Sequence, residues 1–291
     1  MEQLRFWLAS ARLPGGCQLY EACPLGGVVV NIDGYSAGES MYSFLTPSLW
    51  AWRATLASAM DVVATGARPV AAMASVGAPD DGFIWEVLNG VAWASLYAGM
   101  TPGKHDSNRS APGGEWIDVA VLGVLGEAPI PRRPPRTRLL VVQAGYAGYG
   151  LVETRLQGRP PLGVPSWIAK RKPPVGAWRA LSLCGAEAAM DNSDGYLYTL
   201  RTMALLGGLD IELRRPPLAD PRLPVRGWEV LGSWEDYNLL VMVSPERAEC
   251  LLGELRRARI PSAIVGEARP GRGRILAGGA PVDAGGYERW V

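Results

Sequence analysis

A chain of 291 residues, 48% of them apolar, can bury the cores of two domains of about 100–150 residues each. Its net charge of +1 gives no global pull toward nucleic acid or anionic lipid. No run of about 18 uncharged apolar residues suggests a membrane span. The single histidine, His105, excludes a His-rich metal site and leaves any Ser–His–Asp or Cys–His mechanism to that one residue. Cys17, Cys23, Cys184 and Cys250 form no CxxC pair and are expected to be reduced and mostly buried. Met1-Glu2-Gln3-Leu4-Arg5 opens as an amphipathic helix rather than a signal peptide, so a cytoplasmic location is expected.

Gly27 to Asp33 (GVVVNID) reads as a buried strand ending on a carboxylate. A helix begins near Leu49, with Trp52, Leu56, Met60 and Val63 at helical spacing and Asp61 off that stripe, and it ends at Gly66. Val70 to Val76 forms the next strand. A second helix, Phe83 to Met100, repeats the pattern with Trp85, Leu88, Ala92 and Leu96. Lys104 reads equally as a solvated loop residue or as a cation partner for phosphate, and His105 as a hydrogen-bonding loop residue. Trp116 to Leu125 alternates Ile117, Val119 and Val121, the signature of a half-buried strand.

Glu127 to Arg138 (EAPIPRRPPRTR) holds four prolines in twelve residues and cannot continue a helix or a central strand. It is expected to link a first domain, 1–130, to a second, 131–291, its arginines solvated with one or two facing a bound phosphate. Beyond it, Leu139 to Ala144 is a strand entering the glycine-rich turn Gly145 to Gly150, which is neither a Walker A loop nor a dinucleotide fingerprint. Ala186 to Ser193 reads as a strand, Gly195 to Leu206 as a helix, Asn238 to Val243 as a strand, Glu246 to Arg257 as a helix, and Ile264 onward as strands again. Both halves are therefore mixed α/β layers.

Asp33, Asp61, Asp106, Asp191 and Asp194 sit at strand ends or loop starts in both halves. Oxygen donors of this kind suit hard cations that bridge polyphosphate. Each alone is better explained as a turn former or helix cap than as a metal ligand, Asp194 as the cap of the helix after it.

Their settings carry a family resemblance. Asp61-Val-Val-Ala-Thr-Gly-Ala-Arg-Pro69 resembles the SDLAAMGAxP stretch of thiamine-monophosphate kinases, and Met190-Asp-Asn-Ser-Asp-Gly-Tyr196 resembles their IDISDGL. Trp234-Glu-Asp-Tyr-Asn-Leu-Leu240 is similar to GEDYELL, and Gly286-Tyr-Glu-Arg-Trp290 to a GYDHF-like ending. The four matches fall in order along the chain, and order and spacing agree from about residue 27 to the C-terminus. The chain is thereby identified as a member of the aminoimidazole-ribonucleotide-synthetase superfamily, most similar to thiamine-monophosphate kinases.

The resemblance implies a dimerising N-terminal α/β domain, a C-terminal α/β domain folded over it, and ATP with several Mg2+ ions in the cleft between them. Asp33, Asp61, Asp106, Asp191 and Asp194 would hold metal. His105, Asp106, Arg132, Arg133 and Ser193 would contact ATP, and Glu235 and Trp290 the acceptor. The implied activity is transfer of a γ-phosphoryl group to a phosphate monoester, thiamine phosphate. Such a transfer needs positioning and charge neutralisation rather than a strong base. A homodimer acting on a small molecule, with no nucleic-acid or membrane partner, is expected.

The family's early GDDAAV motif has no counterpart: Leu19 to Pro24 offers only Glu21. Asn31 and Ile32 stand where hydroxyl side chains assist the metals, and GGDT has become Lys104-His-Asp-Ser107. Two alternatives to the kinase therefore stay open, a paralogous ATP-dependent ligase or cyclase with another acceptor, and a non-catalytic nucleotide-binding protein.

Overall fold

The computed structural model describes residues 17–156 and 171–282; Trp290 lies outside them. The first sheet contains β1 (Cys23–Leu25), β2 (Val28–Ser36), β3 (Ala67–Ala78), β4 (Thr101–Arg109) and β5 (Trp116–Leu125) in the order β1-β2-β5-β3-β4. Its pairs are antiparallel except β3 with β4. On β5, Ile117, Val119 and Val121 are fully buried while the residues between them are not, as the alternation requires. Helices α1 (Pro47–Ala64) and α2 (Asp81–Tyr97) cover the buried face.

Local chemistry starts both helices. Thr46 accepts a hydrogen bond from the Leu49 amide at 3.3 Å, and Pro47 supplies a preset φ in the first turn of α1. Asp80 caps α2 by accepting from the Phe83 amide at 2.8 Å. Helix α1 is buried almost all round. Trp50, Ala51, Ala54 and Val62 pack on the first sheet, whereas Trp52, Leu56, Met60 and Val63 pack against Val142, Leu239 and Val241 of the second. A helix apolar on all sides is a core helix, and α1 is the core shared by both sheets.

Helix α2 corrects the expected stripe. Ile84, Val87, Val91 and Ala94 are buried, while Trp85 and Leu96 are 66% and 69% exposed. At Gly90 a Cβ would lie 2.0 Å from the Ser48 carbonyl oxygen, so α2 crosses α1 on its small-residue side and turns its large residues outward. A second correction concerns Lys104 and His105. They lie in β4, an edge strand exposed along its whole length and held to β3 through backbone pairing, so no apolar alternation marks it.

The second sheet contains β6 (Leu139–Ala144), β7 (Ala188–Asp191), β8 (Leu209–Leu213), β9 (Leu239–Val243), β10 (Ser262–Pro270), β11 (Ile275–Ala277) and β12 (Ala280–Pro281), ordered β12-β11-β8-β10-β6-β9-β7. Its helices are α3 (Tyr149–Leu156), α4 (Ala177–Leu183), α5 (Tyr196–Gly207) and α6 (Ala248–Arg257). Every residue of β9 is buried, with Leu240 and Met242 facing the α5 side and Leu239, Val241 and Val243 facing α1, α4 and α6.

The proline-rich segment is a strap rather than a loose linker. The Ile130 amide donates to the Thr65 carbonyl at 3.0 Å, the Arg132 amide to that of Leu19 at 2.8 Å, and the Ala189 amide to that of Pro131 at 3.1 Å. The cysteines are also not free thiols. Cys17 is joined to Cys23 and Cys184 to Cys250, overturning the expectation of reduced residues. Sequence spacing could not show that the ends of α4 and α6 lie side by side. Among the described residues no helix is long and apolar enough to cross a membrane.

Candidate active site

Elements of both domains deliver carboxylates to one place. Asp33 lies on β2 and Asp61 on the last turns of α1. One neutral side chain joins them: the Asn31 amide nitrogen lies 3.1 Å from Asp33 Oδ2, 2.7 Å from Asp61 Oδ2 and 3.2 Å from Ser58 Oγ. From the second sheet, Asp191 closes β7, and the turn after it carries Ser193 and Asp194. Ser193 Oγ donates to Asp191 Oδ1 at 2.9 Å. The cap of α5 is Gly195, at φ 120° and with no side-chain cap bond, so capping does not account for Asp194.

This turn is zipped to the segment Ser233 to Asn238. The Glu235 amide donates to the Ser193 carbonyl at 2.8 Å, the Asp236 amide to that of Asn192 at 3.0 Å, and the Asn192 amide to that of Asn238 at 2.9 Å. Asp236 accepts backbone N–H bonds from Gly148, Tyr149 and Gly150, the start of α3. Only glycine fits at Gly150, where a Cβ would lie 1.6 Å from the Trp234 carbonyl oxygen.

Electrostatics identify the cluster as one unit. Burial first, then the charges of Asp194 and Glu21, push Asp33 up to about 7. Burial and neighbouring carboxylates also raise Asp61 and Asp191. Burial raises Glu21 as well, opposed by Arg132. Arg132 pairs with Glu21 at 3.1 Å and donates to the Tyr20 carbonyl. Arg133 is exposed.

Glu21 thus stands where the paired aspartates are missing from the sequence, and it brings a buried carboxylate from that segment within electrostatic reach of Asp33 and Asp194. Asp106 and His105 do not join it. They line a shallow depression with Ile32, Met73 and Asp118 on the open face of the first sheet.

The cleft beside the carboxylates has a volume of about 230 Å³ and is bordered by Asp33, Ser40, Ser193, Asp194, Trp234 and Glu235. Glu235 is engaged within the protein as well as lining the cleft. It is 7% exposed, at φ 51°, and ion-paired with the fully buried Arg53 of α1. Tyr237 donates to its Oε2 at 3.2 Å, and Arg171 donates to its carbonyl oxygen at 2.6 Å. Glu153 completes the group by pairing with both arginines. Arg53, Arg171 and Glu153 escaped sequence reading because nothing in their spacing shows that segments far apart in the chain meet.

The residues fit hydrated divalent cations. Glu21 Oε1 and Asp191 Oδ2 are buried and accept no hydrogen bond among the described residues. No three His, Cys, Asp or Glu side chains among those residues are close enough to hold an ion by themselves. Mg2+ is commonly held this way, by one or two carboxylates with water and substrate phosphates completing the octahedron.

Comparison with known proteins agrees with this architecture. Residues 17–125 match the family model of the AIR synthase related protein N-terminal domain, and residues 167–277 that of its C-terminal domain. The chain belongs to the AIR synthase related family. Among relatives of this AIR synthase related chain, a protein named thiamine-monophosphate kinase from Pyrobaculum calidifontis is 31% identical over 66% of this chain and 63% of the relative. One of the same name from Corynebacterium glutamicum is 30% identical over 76% and 73%. In three dimensions the AaThiL complex with AMPPCP and TMP superposes at a TM-score of 0.80 and 20% identity, over 99% of this chain and 97% of that one. Thermotoga maritima PurL complexed with FGAR gives 0.73 at 20% identity, over 96% and 48%. These two likenesses establish the shared two-domain fold.

Proposed function

We propose that the protein is an ATP- and Mg2+-dependent phosphotransferase of the thiamine-monophosphate kinase type. The observation that carries this reading is the convergence of Glu21, Asp33, Asp61, Asp191 and Asp194 from both domains, two of them with buried, unsatisfied oxygens. Carboxylates crowded without compensating cations are costly. Mg2+ with a nucleotide polyphosphate supplies that charge and, when bound, screens the transferring phosphoryl group. Asp33, Asp61, Asp191 and Asp194 would hold the metal, Glu21 would replace the missing paired aspartates, and Ser193 would donate to phosphate. Asn31 holds Asp33 and Asp61 together, and Trp234 walls the cleft. No side chain needs to act as a strong base, because a phosphate-monoester acceptor is already anionic.

One observation favours a second acceptor class within the same chemistry. Glu235, the residue expected to contact the acceptor, directs its carboxylate to Arg53 and Tyr237. A paralogue that phosphorylates an oxygen other than that of thiamine phosphate accommodates this arrangement better. Incubation with Mg-ATP and thiamine phosphate tests both readings by product analysis. Thiamine diphosphate formation supports the first. ATP turnover only with another oxygen nucleophile supports the second, and absence of Mg-ATP binding by calorimetry overturns both.

A further inference from the structure

A groove formed mainly by the second domain, with Tyr97 of α2 at one end, shares no lining residue with the acidic cleft. It runs from the end of α6 to the turn between β6 and α3 as two hollows of about 570 and 410 Å³. Tyr146 and Arg259 line both, so they are continuous. Arg215 and Arg256 border the first, and Tyr97 and Lys172 the second.

No carboxylate lines either hollow. Among the described residues no ion pair engages Arg215, Arg256, Arg259 or Lys172. Another bordering cation, Arg222, is held by Asp220. The backbone fixes the walls: Arg259 stands at φ 58°, its amide donating to the Arg256 carbonyl at 2.9 Å, and the Gly145 amide donates to that of Pro261 at 2.7 Å.

Helix-dipole compensation accounts for Arg256 at the C-terminus of α6. It does not account for Arg215 and Lys172, which come from other parts of the chain and border the same groove. Guanidinium groups match phosphate oxygens in pairs. Tyrosine rings offer flat apolar surface with a polar edge, and hollows of this size suit a ligand of a few hundred Å³. We propose that this groove binds a nucleoside polyphosphate without a metal ion. The absence of lining carboxylates separates it from the cleft, where a polyanion needs divalent cations to approach.

The test is calorimetric titration of the whole chain with ADP in excess EDTA. The expected result is binding that weakens at least tenfold in Arg256→Ala/Arg259→Gly, glycine being suited to the positive φ at residue 259. Arg215→Ala, on a different segment, provides a second variant, and thermal melting establishes that each is folded. Asp61→Asn/Asp194→Asn should bind ADP in EDTA as the wild type does, whatever the fate of the Mg2+-dependent site. Three results would overturn the proposal: no ADP binding in EDTA, unchanged affinity in the folded groove variants, or inorganic tripolyphosphate binding as tightly as ADP.

Discussion

Arg53 shows what a single residue decides. It is fully buried on α1 and pairs with Glu153 and Glu235 of the second domain, its guanidinium 5.1 Å from the centre of the Tyr42 ring. Removing one member of a buried ion pair costs about 3–5 kcal/mol, because the partner charge stays desolvated. Arg53→Ala should therefore lower stability by about that amount in urea unfolding, and it should loosen the Trp234–Glu235 wall of the cleft. Asp61 and Asp194 belong to the other class. Asparagine at either position keeps size and hydrogen bonding but removes charge. Mg-ATP affinity should fall at least about tenfold, or about 1.4 kcal/mol, with the fold retained. Titration of both variants checks this; unchanged affinity in both would leave the carboxylates without the role assigned to them.

At the scale of elements, α1 and the Cys184–Cys250 bridge hold the second domain together and to the first. The bridge joins the cap of α4 to α6 across a separation of 66 residues. Closing a loop of that length removes unfolded-state entropy equivalent to about 4 kcal/mol at 25 °C. Cys184→Ala/Cys250→Ala should lose about that much as an upper value, read from denaturant midpoints in parallel with reduced wild type. Elements also mark where sequence was legible. Trp116–Leu125 matches the expected strand because its alternation records one buried face. The α2 stripe misleads because its buried face is chosen by the small residues that allow contact with α1, not by the largest apolar ones. Strand β4 leaves no apolar signal because its pairing is made entirely by backbone.

For the molecule as a whole, the acidic cleft makes stability depend on pH and metal together. An aspartate titrates near 3.9 when unfolded, whereas Asp33 is raised to about 7 and Asp236 to about 6. Between those values the folded state holds more protons than the unfolded one, so stability falls as pH rises through that window. Carboxylates lowered to about 2 (Asp210, Asp220 and Glu267) act in the opposite sense and only at more acidic pH. Melting in EDTA should thus occur at a lower temperature at pH 8 than at pH 5, and Mg2+ should raise it more at pH 8. The family resemblance implies a homodimer through the first domain, and we propose as its surface the open face of the first sheet, with Ile32 66% and Met73 41% exposed. Sedimentation should show a dimer that Ile32→Glu converts to a monomer.

The sequence alone determined which residues could carry charge to a phosphate and which segments had one buried face, because both are local properties of short stretches. The order of its motifs also determined the two-domain family fold. Only the tertiary structure decided that Glu21 joins the carboxylate cluster and that Asp106 stands on another surface. It also decided that Arg53 holds Glu235, and that four cysteines form two bridges. Each of these depends on distances between segments remote in the chain, which packing of α1 between two sheets sets and no local pattern encodes.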